Sequence, residues 1–131
     1  MLAWENLFEE KQITAKQAAY MIKDGDRIMT GNRDCRAILK EIILRPDIHD
    51  VHYYVPICNY MMDAPNVGKN FFPATSFLND NSHKLHHEGR FDFIPSEYWQ
   101  WDKLATNILK CNVALIEVSK PDKHVSRPEY F

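Results

Sequence analysis

The segment from Ile13 to Leu39 constrains the fold most, because it carries the signals of a helix, a strand and a second helix in immediate succession. Thr14 can cap a helix whose apolar residues fall at helical spacing, and an Asp-Gly pair ends that helix. Arg27 to Thr30 has the length of a short strand, and Gly31 opens the loop before the next helix. Ligands of open α/β sheets bind in the loop just past such a strand. The order of elements therefore predicts a binding site near Gly31.

The rest of the chain continues to alternate strands with helices. Four more strands are predicted, at Val51–Ile57, Pro73–Leu78, Phe91–Ile94 and Asn112–Val118. Further helices are predicted at Trp4–Glu10, Asn81–Glu88 and Glu97–Leu109. This alternation predicts an α/β fold with a mainly parallel sheet, flanking helices and a Rossmann-like arrangement. The last strand has the clearest buried pattern, yet only a polar, proline-punctuated segment, 119–131, follows to cover it.

Length, charge and cysteine usage argue against several classes of function. The 131 residues fit a single domain spanning 1–131, and 45% hydrophobic with 26% charged residues is typical of a globular chain. The net charge of -2 lacks the basic excess that binding to a phosphate backbone requires, so no nucleic-acid partner is expected. No apolar run approaches the length of a membrane span, so no membrane partner is expected. Three widely separated cysteines without a Cys-x-x-Cys pair favour a reduced, cytoplasmic setting.

Three ordered segments resemble a known family. They are Lys16–Ala19 with the adjoining Ile22–Ile28, then Glu88–Pro95, and finally Asn112–His124. In this order and spacing they resemble the amino-terminal domain of the acetyl-CoA hydrolase/transferase family, which includes the 4-hydroxybutyrate CoA-transferases. The resemblance runs along nearly the whole chain, from about Trp4 to His124. It implies one half of a two-domain enzyme, each half an α/β sandwich of the CoA-transferase kind, with the active site between the halves.

The resemblance also implies a reaction and its participants. Members of the family move coenzyme A between carboxylic acids, or to water, through a glutamate that forms a glutamyl-CoA thioester. That glutamate lies in the second domain, so no catalytic residue is assigned here, and Glu117, within the predicted buried strand, is no substitute. The implied partners are acyl-CoA, small carboxylic acids and either a carboxyl-terminal half or further copies of the chain. Segment 119–131 departs from the family and is interpreted as a divergent or truncated tail.

Six residues are predicted to bind the substrate or coenzyme A. Four of them follow the first strand, where amides at a helix start and two arginines can hold a carboxylate or a phosphate. These four are Gly31, Asn32, Arg33 and Arg36. By the resemblance, Asp122 and His124 belong to a turn that lines the cleft between the domains. Two simpler alternatives stay open: a loop in which Asp34 caps the helix, and a turn in which Asp122 bonds its own backbone.

Two other clusters carry weaker signals. Cys35 lies beside two arginines, and positive charge lowers a thiol pKa, but the loop lacks the glycine of a phosphate-cradling cysteine enzyme. A half-buried, inert thiol is therefore the favoured interpretation. His83, His86 and His87 are dense enough to suggest a metal site, but neither a third ligand nor a His-Glu-x-x-His order is evident. A solvated helix face is favoured there.

Three hypotheses for the function follow. In the first, the chain is the amino-terminal domain, or a truncated homologue, of an acetyl-CoA hydrolase/CoA-transferase that is inactive alone. In the second, it is a non-catalytic binding or self-assembly module that keeps the fold. Its aromatic residues, including Tyr98, Trp99 and Trp101, then serve an interface, because half of a two-domain enzyme leaves apolar surface uncovered. In the third, it is an independent small enzyme that uses Cys35.

Overall fold

The computed structural model describes residues 3–119, and its centre is a sheet of five parallel strands. The strands are β1 (Arg27–Thr30), β2 (Val51–Ile57), β3 (Phe71–Phe77), β4 (Asp92–Phe93) and β5 (Val113–Leu115). They lie in the order β4-β3-β2-β1-β5, and every neighbouring pair is parallel. The predicted α/β fold with a mainly parallel sheet is therefore confirmed.

Four helices have the bounds α1 (Ala3–Lys11), α2 (Ala15–Tyr20), α3 (Arg36–Ile43) and α4 (Asp80–His87). The start of α2 follows directly from local sequence, because Thr14 and Gln17 cap it reciprocally. The Thr14 hydroxyl accepts from the Gln17 N–H, and the Gln17 side-chain oxygen accepts from the Thr14 N–H. Asn79 caps α4 in the same reciprocal way with Ser82. The predicted helix starts at Thr14 and near Asn79 are confirmed, since each cap satisfies amides that the helix itself leaves unpaired.

One face of the sheet carries the main hydrophobic core. Strand residues at alternate positions, among them Ile28, Val55 and Phe71, are fully buried there, together with Leu39 of α3. The apolar side of α3 packs inward with Leu39, Ile42 and Ile43, as its helical spacing requires. Burial of such large aliphatic side chains contributes roughly 1.5–3 kcal/mol each, so this face supplies most of the stabilisation.

The opposite face is covered over a smaller area by a mixed helical segment, 98–108. It consists of a 3-10 turn (Tyr98–Gln100), one α turn (Trp101–Lys103) and a π turn (Leu104–Ile108). Leu104 packs there on Tyr54 and Ala74 in a second, small cluster. The helix predicted at Glu97–Leu109 thus exists, but tertiary packing rather than local propensity sets its changing pitch.

Two strand predictions need correction. The third strand begins at Phe71 rather than Pro73, because it pairs with β2 from Phe71 onward. Pro73 is tolerated within it because β4 pairs only with Ala74 and Thr75 on the other side. The last strand is Val113–Leu115 alone, at the sheet edge, and the prediction of a buried strand there was wrong. Two apolar side chains just past it are largely exposed, Ile116 at 66% and Val118 at 79%. A run of apolar residues has the same pattern in the sequence whether other elements cover its strand or the strand lies at the edge of the sheet.

No helix within residues 3–119 has the length and apolar character needed to cross a membrane. Asp122 and His124 lie outside the described residues, as does all of the divergent tail predicted at 119–131 except its first residue.

Candidate functional site

The strand order creates a crevice where the path of the chain reverses. From β1 the chain adds β2, β3 and β4 on one side, and β5 then returns to the other side of β1. The carboxyl ends of β1 and β5 therefore lie side by side at one edge of the sheet, and open α/β sheets bind ligands at such a reversal point. A cavity of about 320 Å³ lies there. Its lining residues are Arg33, Asp34, Arg36, Asn59 and Glu117.

The cavity contains part of the predicted site. Arg33 and Arg36 both line it, whereas Gly31 and Asn32 are exposed in the same loop and do not. Sequence reasoning missed Asn59 and Glu117 as members. Both follow the carboxyl end of a strand, Asn59 after β2 and Glu117 after β5, and this position is the signal that could have identified them. Glu117 is exposed beyond β5 rather than inside a buried strand, so that expectation is corrected.

Asp34 joins two loops at the floor of the cavity. Asp34 is only 3% exposed, and its Oδ2 accepts from the Asn59 N–H at 2.6 Å. The Tyr53 hydroxyl donates to Oδ1 at 3.4 Å. Residue Cys35 occupies the capping position of α3 without a side-chain bond, so the alternative in which Asp34 caps the helix was wrong. Burial raises the pKa of Asp34, against the opposing effects of the Asn59 amide, Tyr53 and Arg36.

The two arginines supply the positive charge of the cavity. Arg36 donates from Nη2 to the Asn59 carbonyl at 3.0 Å, so the backbone of Asn59 is held at its N–H by Asp34 and at its carbonyl by Arg36. Arg33 is exposed and makes no hydrogen bond or ion pair with any residue in 3–119. Guanidinium groups present several N–H donors in a planar fork, which suits a carboxylate or a phosphate. The arrangement can therefore hold a small anion.

Cys35 has the opposite of an activated environment. Burial raises the pKa of its thiol, and the negative charges of Glu117 and Asp34 raise it further. A thiol with a raised pKa is largely protonated near neutral pH and is a poor nucleophile. This geometry favours the interpretation of Cys35 as an inert, half-buried thiol.

The histidines of α4 do not gather further ligands. The rings of His83 and His87 lie 4.4 Å apart, while His86 bonds through Nδ1 to the Phe91 carbonyl. Across residues 3–119, no three His, Cys, Asp or Glu side chains come together in a way that could hold a metal ion.

The fold is shared with known structures, although no family model and no curated protein sequence matches the chain. RipA from Yersinia pestis superposes with a TM-score of 0.70 at 20% identity, over 86% of this chain and 30% of RipA. Two RipA variants superpose with TM-scores of 0.71 and 0.73 at 20% and 19% identity, each over 86% of this chain. The matched part is 30% of the first variant's chain and 29% of the second's. The chain therefore shares the fold of the matched part of RipA, and it spans less than a third of the length of these neighbours.

Proposed function

We propose that this chain is the amino-terminal half of a CoA-transferase-like enzyme, related to the acetyl-CoA hydrolase/transferase family. Its structure has the parallel α/β fold of RipA and corresponds to 30% of that protein's length. The observation that carries the proposal is the cavity at the reversal point of the sheet, lined by Arg33 and Arg36. No residue of the chain is assigned as the nucleophile. In the proposed reaction that residue is a glutamate of a second half.

The cavity is proposed to hold an anionic group of the substrates. Coenzyme A carries phosphates, and the acids that exchange it carry carboxylates, so either can accept hydrogen bonds from the two guanidinium groups. Arg33 has no protein partner among residues 3–119, and Arg36 uses one donor on the Asn59 carbonyl. Most of the donor capacity is therefore available to a ligand. Asn32 and Gly31, exposed in the same loop, are proposed to extend this surface.

Reconstitution tests the proposal. The chain is mixed with a separately expressed carboxyl-terminal half of a CoA-transferase, acetyl-CoA and a second carboxylate, and thioester exchange is followed by mass. Exchange is expected in the mixture and absent with either half alone. Exchange by this chain alone, or no exchange with a half that folds and binds it, contradicts the proposal. A catalytic-glutamate variant of the added half serves as the matched control, because it keeps binding but removes the nucleophile.

A second candidate function is a non-catalytic module that associates through exposed apolar surface. The observation that favours it is the exposure of Trp99 at 66%, together with Ile116 and Val118 beyond β5. Exposed apolar residues of this size mark association surfaces when they are contiguous. Sedimentation velocity over a hundredfold range of concentration tests this function. Reversible dimers or larger assemblies are expected, and a monomer throughout the range contradicts it.

A further inference from the structure

The cavity at the reversal point holds charges of both signs that do not neutralise each other. Arg33, Arg36 and Glu117 all line it, yet within residues 3–119 no salt bridge joins Glu117 to either arginine. Opposite charges that share a small cavity normally pair unless the backbone holds them apart. Here Arg33 and Arg36 come from the loop and helix after β1, while Glu117 comes from the segment after β5. The arginine wall and the Glu117 wall of the cavity are therefore supplied by different segments of the chain.

Each wall has hydrogen-bonding capacity to spare. Glu117 makes no hydrogen bond within the described part of the chain, and its charge is close enough to Cys35 to raise the pKa of that thiol. Asp34, the other acid of the cavity, already accepts from the Asn59 amide and the Tyr53 hydroxyl. Glu117 is therefore the acceptor available to a ligand, and the arginines are the available donors.

We propose that Glu117 determines specificity at this anion site by selecting ligands that carry, besides the carboxylate or phosphate held by Arg33 and Arg36, a positively charged hydrogen-bond donor such as an ammonium group. The inference rests on the proposed function and names a substrate class for the same site. None of the five lining residues has a purely hydrocarbon side chain, so the cavity offers little to a plain alkyl chain. A ligand with an anionic group at one end and an ammonium at the other can bond to the arginines and to Glu117 at once. A simple carboxylate places only its alkyl end against Glu117.

Matched ligands isolate the second contact. Propanoate and 3-aminopropanoate share one carbon skeleton and differ only in the terminal ammonium, and pairs with longer skeletons cover other spans of the cavity. Binding of each pair to the 131-residue chain is measured by chemical-shift titration at constant ionic strength. The amino ligand of the best-fitting pair is expected to bind about fivefold more tightly, the upper end of the range for one exposed ion pair.

Two substitutions separate this inference from the proposed function. Glu117→Gln is expected to abolish the fivefold preference while leaving carboxylate affinity unchanged or slightly increased. Arg36→Met is expected to weaken both members of a pair equally. Glu117 is exposed, so its variant is expected to fold, and Asp102→Asn, an exposed carboxylate in segment 98–108, is the matched control. Asp102→Asn is expected to change neither affinity.

The outcomes are distinguishable. If the wild type binds no carboxylate of either kind, the anion site and the proposed function built on it are both overturned. If it binds carboxylates but shows no preference for the amino ligand in any pair, only the role of Glu117 is overturned. A preference that survives in Glu117→Gln overturns that role as well, because another group then makes the contact.

Discussion

Two groups of arginines in this protein are used in opposite ways. Arg45 is buried, with 8% of its side chain exposed, and its donors are occupied by the Ala19 and Ile22 carbonyls and by Asp47. Arg33 and Arg36 are exposed at the cavity, and their side chains together make one hydrogen bond to the rest of residues 3–119. An arginine with four of its five N–H donors occupied by the protein, as in Arg45, holds the fold together. One whose donors face a cavity can bind a ligand.

The structural role of Arg45 comes from the end of α2. Its Nη1 donates at 2.7 Å to the Ala19 carbonyl and at 2.7 Å to the Ile22 carbonyl, at the helix end where carbonyls lack partners and positive charge is favoured. The guanidinium also stacks on Tyr20, 4.7 Å from the ring centre. One side chain thus fixes α2 against the segment after α3. The cavity arginines make no comparable set of contacts.

The strongest test of the comparison removes Arg45. Arg45→Met is expected to lower the free energy of unfolding by about 3 kcal/mol, because charge-assisted bonds to two buried carbonyls are lost. Urea unfolding measures this change. Arg33→Met is the matched control and is expected to change stability by less than ~0.5 kcal/mol, as exposed sites do. Equal losses in both variants would remove the distinction between the two groups.

The loop after β2 gives a second test, on packing rather than charge. Gly68 has φ +80°, and an added Cβ would lie 2.8 Å from the Arg90 Cα, where Arg90 bonds the Val67 and Ala64 carbonyls. Gly68→Ala is expected to cost about 2 kcal/mol, from backbone strain and overpacking together.

Gly25→Ala is the control for this loop. Gly25 has nearly the same φ, +79°, but nothing lies within 4 Å of a Cβ added there. Its alanine variant therefore has the backbone strain without the steric clash. It is expected to cost about 1 kcal/mol by urea unfolding. If the two alanine variants were equally stable, the contact between Gly68 and Arg90 would carry no weight.

The role of the cavity arginines is tested by measuring ligand binding. Arg36→Met is expected to weaken binding of a small carboxylate about tenfold, since one charge-assisted contact near the surface contributes roughly 1.5 kcal/mol. Its free energy of unfolding is expected to fall by less than ~1 kcal/mol, the value of the single bond to Asn59. Calorimetric titration measures the first change and urea unfolding the second. A large loss of stability with unchanged affinity would assign Arg36 to the structural group.

The smallest effect concerns the buried acid beneath these arginines. Burial raises the pKa of Asp34, so the folded state favours its protonated form, and its contribution to stability is lost as pH rises through that raised pKa. Asp34→Asn removes this penalty and keeps an acceptor for the Asn59 amide. The variant is expected to equal or exceed wild-type stability at pH 7, and the difference is expected to shrink as pH falls toward 4. Urea unfolding at several pH values checks both signs, and a variant less stable at pH 7 would show that the charge itself stabilises the fold.

Much of the fold could be predicted because its signals are local. The cap at Thr14, the strand Arg27–Thr30 and the strand Val51–Ile57 are set by neighbouring residues and by apolar spacing, and the structure has them as predicted. Two residues of the cavity were named from the sequence for the same reason. Arg33 and Arg36 follow β1 directly, whereas Glu117 reaches the cavity only because β5 returns beside β1.

The amino-acid sequence by itself determined the α/β class, the positions of most helices and strands, and the two arginines that follow β1. Only the tertiary structure decided that the last strand is a short edge strand, that Asp34 bonds the Asn59 amide instead of capping α3, and that Glu117 faces the arginines. The physical reason is the distance along the chain over which each kind of interaction acts. Caps and periodicity act over a few residues, but strand order, burial of a face and the meeting of two loops depend on contacts between residues far apart in the chain.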